Sequence, residues 1–278
     1  MEGRRIIRWR AGKARDLFLY LLVNRGRTVD RDELHEALWP EKVRSPQSSS
    51  IRVAKHAVDQ ILRGADTGDA ECPAAEIVSQ NGGYTLRAHD LWLDIEEFER
   101  LCGEGRRAAA CNDRSTALDR FHRAQQLYSG DFMHGQNAEW VREQQEWARS
   151  LVLAALGHLL EDALCREDVS EAITLCRRTL QVDPYQENVY RTLIQLHGEL
   201  GQLGQARAWY DQCCRRLSEE LDVGITEDTR RAFERMMRTG ACSPPHEVRL
   251  PTTTVRPAAV AAAKGAGLQS ATVRITAS

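Results

Sequence analysis

The chain has 278 residues, of which 42% are hydrophobic and 28% charged, and its net charge is −2. This length suits two ordinary domains, and this share of apolar residues is enough to form their cores. No apolar run reaches the roughly 18 residues of a membrane-spanning helix, and the arginine-rich start lacks the apolar core of a signal peptide. We therefore expect a cytoplasmic protein that does not enter a membrane.

The charge is unevenly distributed along the chain. Residues 1–63 contain fourteen Lys and Arg against eight Asp and Glu, a local charge of +6, whereas the remainder carries −8. A basic front followed by an acidic body is typical of a protein whose front contacts phosphates. The asymmetry favours nucleic-acid binding.

The front of the chain predicts one short strand and two helices. Residues 3–10 alternate loosely between polar and apolar side chains, which favours a strand. Apolar residues then recur at helical spacing at Ala14, Leu17, Phe18, Leu21 and Leu22, which predicts a helix. Gly26 ends this helix. Asp30 and Glu33 form a capping-box pattern that opens the second helix, and Pro40 ends it. The residues predicted to be buried on this second helix are Leu34, Ala37 and Leu38.

A third helix is predicted from Gln47 to about Arg63. Its core-facing stripe is Ile51, Ala54, Val58 and Ile61. The opposite side then carries Arg52, Lys55, His56, Asp59 and Arg63. Such a charged side is most often simply solvated, but Arg and Lys can also donate to guanine in the DNA major groove.

A β-hairpin follows a Gly-, Asp- and Ala-rich loop at residues 64–75. Its strands are residues 76–79 and 84–87, and Asn81-Gly82 suits a tight turn at positive φ. Three short helices followed by a hairpin is the order of a winged helix. The hairpin is either a plain element that seals the core or a wing that touches DNA through Arg87, its one basic residue.

The chain from Asp94 onward predicts helices almost throughout. Apolar residues keep the helical period at Ile95, Phe98, Ala117, Phe121, Ala124, Tyr128, Trp140, Trp147, Leu151, Ala154 and His158. Ala172 and Ala206 are 34 residues apart, which is the tetratricopeptide period. A last helix, opened by Thr226, is predicted to bury Ala232, Phe233 and Met236. Beyond Gly240 the composition predicts a disordered tail.

In this order, these segments resemble the Streptomyces antibiotic regulatory proteins. The matching stretches in the front are Lys13–Leu17, Val29–Leu34, Ala37–Pro40, Ile51–Val58 and Gly82–Leu86. Those in the second part are Gly130–Phe132, Trp140–Val141, Asp183–Glu187 and Glu219–Val223. The resemblance covers roughly residues 3–238.

The resemblance implies a mainly α fold with two domains. Residues 1–90 would form an OmpR-like winged helix-turn-helix and residues 94–238 a tetratricopeptide-like bacterial transcriptional activation domain, followed by the disordered tail at 241–278. The implied function is sequence-specific activation of secondary-metabolite genes, through binding of double-stranded DNA at promoter direct repeats and recruitment of RNA polymerase. The helical domain would also support self-association as a homodimer. The residues expected to contact DNA are Ser48, Ser49, Ser50, Arg52, Lys55, His56, Arg63 and Arg87.

Two departures from the family pattern matter. Family members begin with a small antiparallel sheet, and here one candidate strand precedes Lys13, so we expect a truncated front or a start that lies upstream. Asp59 stands where the DNA-facing side should be neutral or basic, and a carboxylate there would repel phosphates. These departures favour an alternative function, a tetratricopeptide-like adaptor with a degenerate head that does not bind DNA. Repression by occlusion would use the same head.

Enzyme functions are not supported by the sequence. It lacks a GxxxxGK[ST] phosphate loop, an HExxH pair and a GxSxG elbow, so we expect no catalytic residues, metal or cofactor. His158 and His197 are interpreted as packed residues rather than catalysts. Trp140, Trp147 and Trp209 fit an inward stripe better than a ligand groove, and the eight scattered cysteines are interpreted as small buried residues in a reducing compartment.

Overall fold

The computed structural model describes residues 4–5, 12–41, 49–65, 75–88, 91–133, 138–240 and 273–275. The described chain is mainly helical, as predicted. Its elements are β1 (Arg4–Arg5), α1 (Lys13–Val23), β2 (Val29–Asp30), α2 (Arg31–Leu38), α3 (Ser50–Ala65), β3 (Ala75–Gln80), β4 (Gly83–Ala88), β5 (Leu91–Leu93), α4 (Asp94–Ala110), α5 (Arg114–Leu127), α6 (Glu139–Cys165), α7 (Val169–Val182), α8 (Glu187–Glu199), α9 (Leu203–Arg215), α10 (Glu227–Gly240) and β6 (Val273–Ile275). Across these residues, every helix is too short or too polar to cross a membrane.

The contacts divide the chain into two compact units. The front unit comprises residues 1–100, 127–148 and 268–278, and the helical unit comprises residues 101–126 and 149–267. The sequence predicts a domain boundary at residues 90–94. By contacts, the first turns of α4 and the segment that leads into α6 group with the front unit.

The core of the front unit is built around α1. Residues 17–22 are all buried, so this part of the helix is covered on every side, rather than on the single stripe that its spacing predicts. The reason is that α1 packs on α3 and β4, while Phe132 and Met133 join the same core. Tyr20 also meets Trp140 edge to face, with 5.1 Å between ring centroids. A helix covered on several sides buries its whole circumference.

The start of α2 is capped as predicted, but by one side chain. The carboxylate of Asp30 accepts the backbone N–H of Glu33 at 2.7 Å. The Glu33 carboxylate instead accepts hydrogen bonds from Tyr20, at 2.8 Å, and from Arg27. These contacts tie α1 to the start of α2. They fix the position of α2 and, through the shared core, that of α3.

The predicted hairpin is confirmed. Strands β3 and β4 pair antiparallel with Gln80 opposite Gly83, and the two turn residues Asn81 and Gly82 have φ of 49° and 82°. Both values are positive, as a two-residue hairpin turn requires. Strand β2 pairs with β4 and completes a sheet of order β2-β4-β3. A Cβ on Gly83 would lie 2.3 Å from the carbonyl oxygen of Val29, so only glycine allows β2 this close.

A second small sheet has the order β1-β6-β5. The predicted front strand, residues 3–10, is present as β1 at Arg4–Arg5. Strand β6 lies in the segment for which the composition predicts disorder, and for residues 273–275 that prediction is wrong. The alternating residues Val273, Arg274 and Ile275 pair with the edges of both β1 and β5, which supply their backbone hydrogen bonds.

The helices of the helical unit pack side by side. Helix α8 packs against α7, α9 and α10. Ala172 and Ala206, the two residues 34 apart, are both fully buried. Since alanine lets neighbouring helices approach closely, their burial agrees with the predicted repeat. The start of α10 is held by Glu187, whose carboxylate accepts the backbone N–H of Thr226 at 2.8 Å and its hydroxyl at 2.6 Å.

Several residues predicted to be buried are not. Trp147 is 49% exposed, and Ala154 and His158 are also exposed, whereas His197 is buried as predicted. In the last helix Ala232 is buried, but Phe233 and Met236 are half-buried. The period of an amphipathic helix identifies a stripe but not its width, because the width depends on how many neighbours the helix has.

Candidate nucleic-acid interface

Helix α3 is held by its apolar side. Ile51, Ala54 and Val58 are buried, as predicted. The fourth inward residue is Leu62 and not Ile61, because Leu62 is 6% exposed and Ile61 is half-buried. In a helix of 3.6 residues per turn, the side chain four residues after Val58 points more nearly in the direction of Val58 than the side chain three residues after it. Leu62 therefore faces the core more directly than Ile61. The opposite side is thereby directed to solvent.

The outer face of α3 consists of five exposed residues in successive turns. They are Ser49, Arg52, Val53, His56 and Gln60. Arg52 has no carboxylate partner among the residues that the structure describes. The Nε2 atoms of Gln60 and His56 lie 3.1 Å apart, so the glutamine amide can donate to the neutral imidazole. The sequence interpretation named Ser49, Arg52 and His56 but missed Val53 and Gln60, because it selected basic side chains on this side of the helix and hydroxyl groups at its start.

Lys55 and Asp59 lie on the flank of α3 rather than on its outer face. Their Nζ and Oδ2 atoms are 2.6 Å apart, and their side chains are 25% and 22% exposed. The expectation that Asp59 presents a bare carboxylate to phosphates is therefore wrong, since Lys55 neutralises it. The i, i+4 spacing of the two residues was the available signal for this pair. Lys55 is correspondingly less free to contact DNA than predicted.

Ser49 is exposed at the start of α3. The carbonyl of Ser49 accepts the backbone N–H of Val53 at 2.9 Å, so Ser49 stands at the entrance of the first turn and is exposed. Ser50 is half-buried. Backbone N–H groups in a first helical turn can donate to an anion such as phosphate. Ser48 and the side chain of Arg63, both predicted to contact DNA, lie outside the described residues.

The hairpin presents Arg87 on the same unit. Its side chain is exposed, and its Nη2 atom donates to Oε1 of Gln80 at 3.2 Å. Glu76 is directly opposite Arg87 in the sheet register. Asn81 and Gly82 at the tip are exposed. The hairpin is therefore lightly charged, as its composition predicts.

A polar cluster joins α1 to the start of α2. Arg27 lies 2.5 Å from Glu33, and this hydrogen bond holds the pKa of the Glu33 carboxyl below its usual range. Burial, together with the bond to Glu33, raises the pKa of Tyr20 to about 12. Both groups keep one protonation state near neutral pH. The cluster has a structural role, and these groups do not act as an acid or a base.

Within the described ranges, no three His, Cys, Asp or Glu side chains are grouped so that they could hold a metal ion. Burial raises the pKa of the Cys176 thiol to about 12, and burial is also the main reason that the pKa of Cys213 rises to about 12. These thiols pack as small apolar residues, as expected. Cys111 and Cys165 are exposed, so the expectation of burial is wrong for them.

The chain matches a known family over its second part. The family model described as the bacterial transcriptional activator domain matches residues 93–237, more than half of the chain. The chain belongs to this family. The resemblance to the Streptomyces antibiotic regulatory proteins is thereby confirmed. Relatives of that kind also align with this chain outside residues 93–237.

Three similar proteins illustrate the match. The regulatory protein AfsR of Streptomyces griseus is 28% identical over 228 residues, 81% of this chain and 22% of AfsR. The regulatory protein DnrI of Streptomyces peucetius is 30% identical over 125 residues, 44% of this chain and 45% of DnrI. Among solved structures, EmbR of Mycobacterium tuberculosis, determined with a low-affinity phosphopeptide, aligns with a TM-score of 0.59 at 22% identity over 82% of this chain and 59% of that one. The chain thus spans less than half of the AfsR and DnrI sequences, and the likeness to EmbR concerns the fold.

Proposed function

We propose that the chain is a DNA-binding transcriptional activator whose front unit acts as an OmpR-like winged helix-turn-helix. The observation that carries this proposal is the outer face of α3, a solvent-directed row of side chains on a helix whose other side is anchored in a core. Helices α1, α2 and α3 followed by the β3–β4 hairpin have the element order of a winged helix. In such a fold the third helix enters the major groove and the hairpin lies on the flanking backbone.

The chemistry of the outer face suits base recognition. The Arg52 guanidinium can donate two hydrogen bonds to guanine, and the amide of Gln60 offers both a donor and an acceptor to a base edge. Ser49, Ser50 and the first-turn N–H groups can donate to phosphate, and Arg87 can do the same from the hairpin. His56 adds a further donor or acceptor in the groove. The local charge of +6 over residues 1–63 would draw the front unit towards DNA.

The helical unit would supply the activating contact. Its packed helices, with alanines buried at a spacing of 34 residues, form a tetratricopeptide-like surface suited to binding protein. We propose that it promotes self-association and holds RNA polymerase near promoters of secondary-metabolite genes, a role that fits the family and the relatives described above. The gain in transcription would come from a raised local concentration of polymerase and not from catalysis.

The test is promoter binding measured across salt concentrations. We expect Arg52→Ala to weaken binding about tenfold and to relax base preference, because a lost bidentate contact is worth roughly 1–3 kcal/mol. Arg207→Ala is the matched control, since Arg207 is a largely exposed arginine on α9 of the helical unit. Equal affinity and equal base preference in Arg52→Ala and the wild type would remove α3 from the reading role.

An adaptor function is the alternative that one observation favours. The Lys55–Asp59 pair reduces the free positive charge beside the outer face of α3. If the head had lost DNA binding, gel shifts with genomic fragments would show only weak, salt-sensitive retention without sequence preference. Tight and selective retention would instead support the activator.

A further inference from the structure

Val53 is an apolar residue in the middle of a polar surface. Its side chain is 65% exposed, more than any other large hydrophobic side chain in the described part of the chain. It lies on the outer face of α3, next to Arg52 and one turn from His56. The core does not use it, because Ile51, Ala54 and Val58 anchor the helix. Valine is also a modest helix former, so neither packing nor helix propensity explains it.

The DNA major groove contains one apolar feature that such a side chain could contact. Among the base edges in that groove, thymine alone carries a methyl group, at C5, and the other edges present hydrogen-bond donors and acceptors. We propose that Val53 contacts the 5-methyl group of a thymine and makes that thymine part of the binding sequence. The inference rests on the proposed function, because it assumes that the outer face of α3 lies in the major groove.

The local structure fits this contact in two ways. A β-branched side chain in a helix has one strongly preferred χ1 rotamer, so the two methyl groups of Val53 are held in place before DNA arrives. Arg52, the adjacent residue, is also exposed on the outer face, and neighbouring side chains of a recognition helix read neighbouring base pairs. The expected binding sequence therefore has a thymine within about one base-pair step of a guanine.

The thymine contact can be tested by removing the methyl group from the DNA. The full-length chain would first select its preferred duplex from a random pool, and each thymine of that duplex would then be replaced by uracil. We expect one uracil position to weaken wild-type binding roughly two- to five-fold, since burying one methyl group contributes an effect of this size. Val53→Ala should bind the thymine duplex as weakly as the wild type binds the uracil duplex, and should not distinguish the two bases there.

Two further variants and a stability measurement distinguish loss of the contact from loss of folding. Val53→Ile keeps the branched side chain and should retain the discrimination between thymine and uracil. Val223→Ala is the matched control, because Val223 is 54% exposed in the helical unit and its truncation should leave DNA binding unchanged. Thermal unfolding should show that Val53→Ala is as stable as the wild type, as expected for so exposed a position.

The outcomes separate the inference from the proposed function. If the wild type selects no sequence at all, the proposed function fails and the inference with it. If it selects a sequence but no thymine responds to loss of its methyl group, or if Val53→Ala responds as strongly as the wild type, only the role of Val53 is overturned. Unchanged DNA binding in Val53→Ala together with lost transcriptional activation would indicate a protein partner at Val53 instead, and would likewise overturn the thymine contact.

Discussion

The two units of the chain use their charged side chains differently. In the helical unit, the buried carboxylate of Asp162 forms ion pairs with Arg166, at 2.7 Å, and with Arg114. Arg166 also pairs with Glu171. On the outer face of α3 in the front unit, Arg52 is exposed, and the structure describes no carboxylate beside it. Cations that are bound within the protein stabilise it, whereas an exposed and unpaired cation is available to a ligand. The Asp162 network supports folding of the helical unit, whereas the exposed guanidinium of Arg52 is the cation that the proposed function assigns to DNA recognition.

The largest effect on stability is expected from replacing Gly83 in the front unit. Gly83→Ala would place a Cβ against the carbonyl oxygen of Val29, and neither backbone can move without loss of the β2–β4 pairing. We expect the unfolding free energy of the front unit to fall by about 2–3 kcal/mol. Hydrogen exchange during urea titration would measure it on the strand amides. Gly204→Ala in α9, where a Cβ meets open space, should cost nothing, and an equal loss there would contradict the argument.

A smaller loss is expected from Asp162→Asn in the helical unit. Asp162 is 7% exposed, but its arginine partners are largely solvated, so we expect a loss of about 1–2 kcal/mol rather than the full cost of breaking a buried pair. Urea unfolding followed by circular dichroism would measure it. Glu161→Gln, at the exposed neighbouring position, serves as the control. Equal stability of Asp162→Asn and the wild type would show that the network is not stabilising.

The same network predicts a pH dependence. Burial alone would raise the pKa of Asp162, but hydrogen bonds from Arg166 and Arg114 hold it below the usual value of 3.8. A carboxyl group whose pKa is lower in the folded state stabilises the protein above its unfolded pKa, and this stability is lost as the pH falls through the folded pKa. The difference in unfolding free energy between the wild type and Asp162→Asn should thus be constant from about pH 5 to 7 and shrink below about pH 4. A difference that grows on acidification would contradict this assignment.

The smallest effect is expected from releasing Lys55. Asp59→Asn removes the carboxylate that neutralises this cation, so the front unit gains one cation available to phosphate. We expect DNA affinity to rise roughly three-fold at low salt and the salt slope to steepen by about one. Asp211→Asn is the matched control, since Asp211 forms an i, i+4 pair with Arg207 in the helical unit. A weaker complex with Asp59→Asn would mean that Asp59 itself contacts the DNA.

Much of the fold follows from local patterns. The helical spacing of Leu17, Phe18 and Leu21 predicts α1, and Asn81-Gly82 predicts the hairpin turn, because both patterns depend on backbone geometry within a few residues. The exposed outer face of α3 was predicted in part. Ser49, Arg52 and His56 lie on the outer face of α3, but Val53 and Gln60 were missed, because a search for basic side chains and for hydroxyl groups at the helix start has no signal for them.

The amino-acid sequence by itself determined the order of the three front helices and the hairpin, the family and the helix that presents the candidate interface. These features depend on residue spacing and on capping and turn residues, which act locally. Only the tertiary structure decided that residues 127–148 join the front unit, that Trp147 is exposed and that Leu62 rather than Ile61 faces the core. The physical reason is that burial depends on which elements surround a side chain, and those neighbours come from distant parts of the chain.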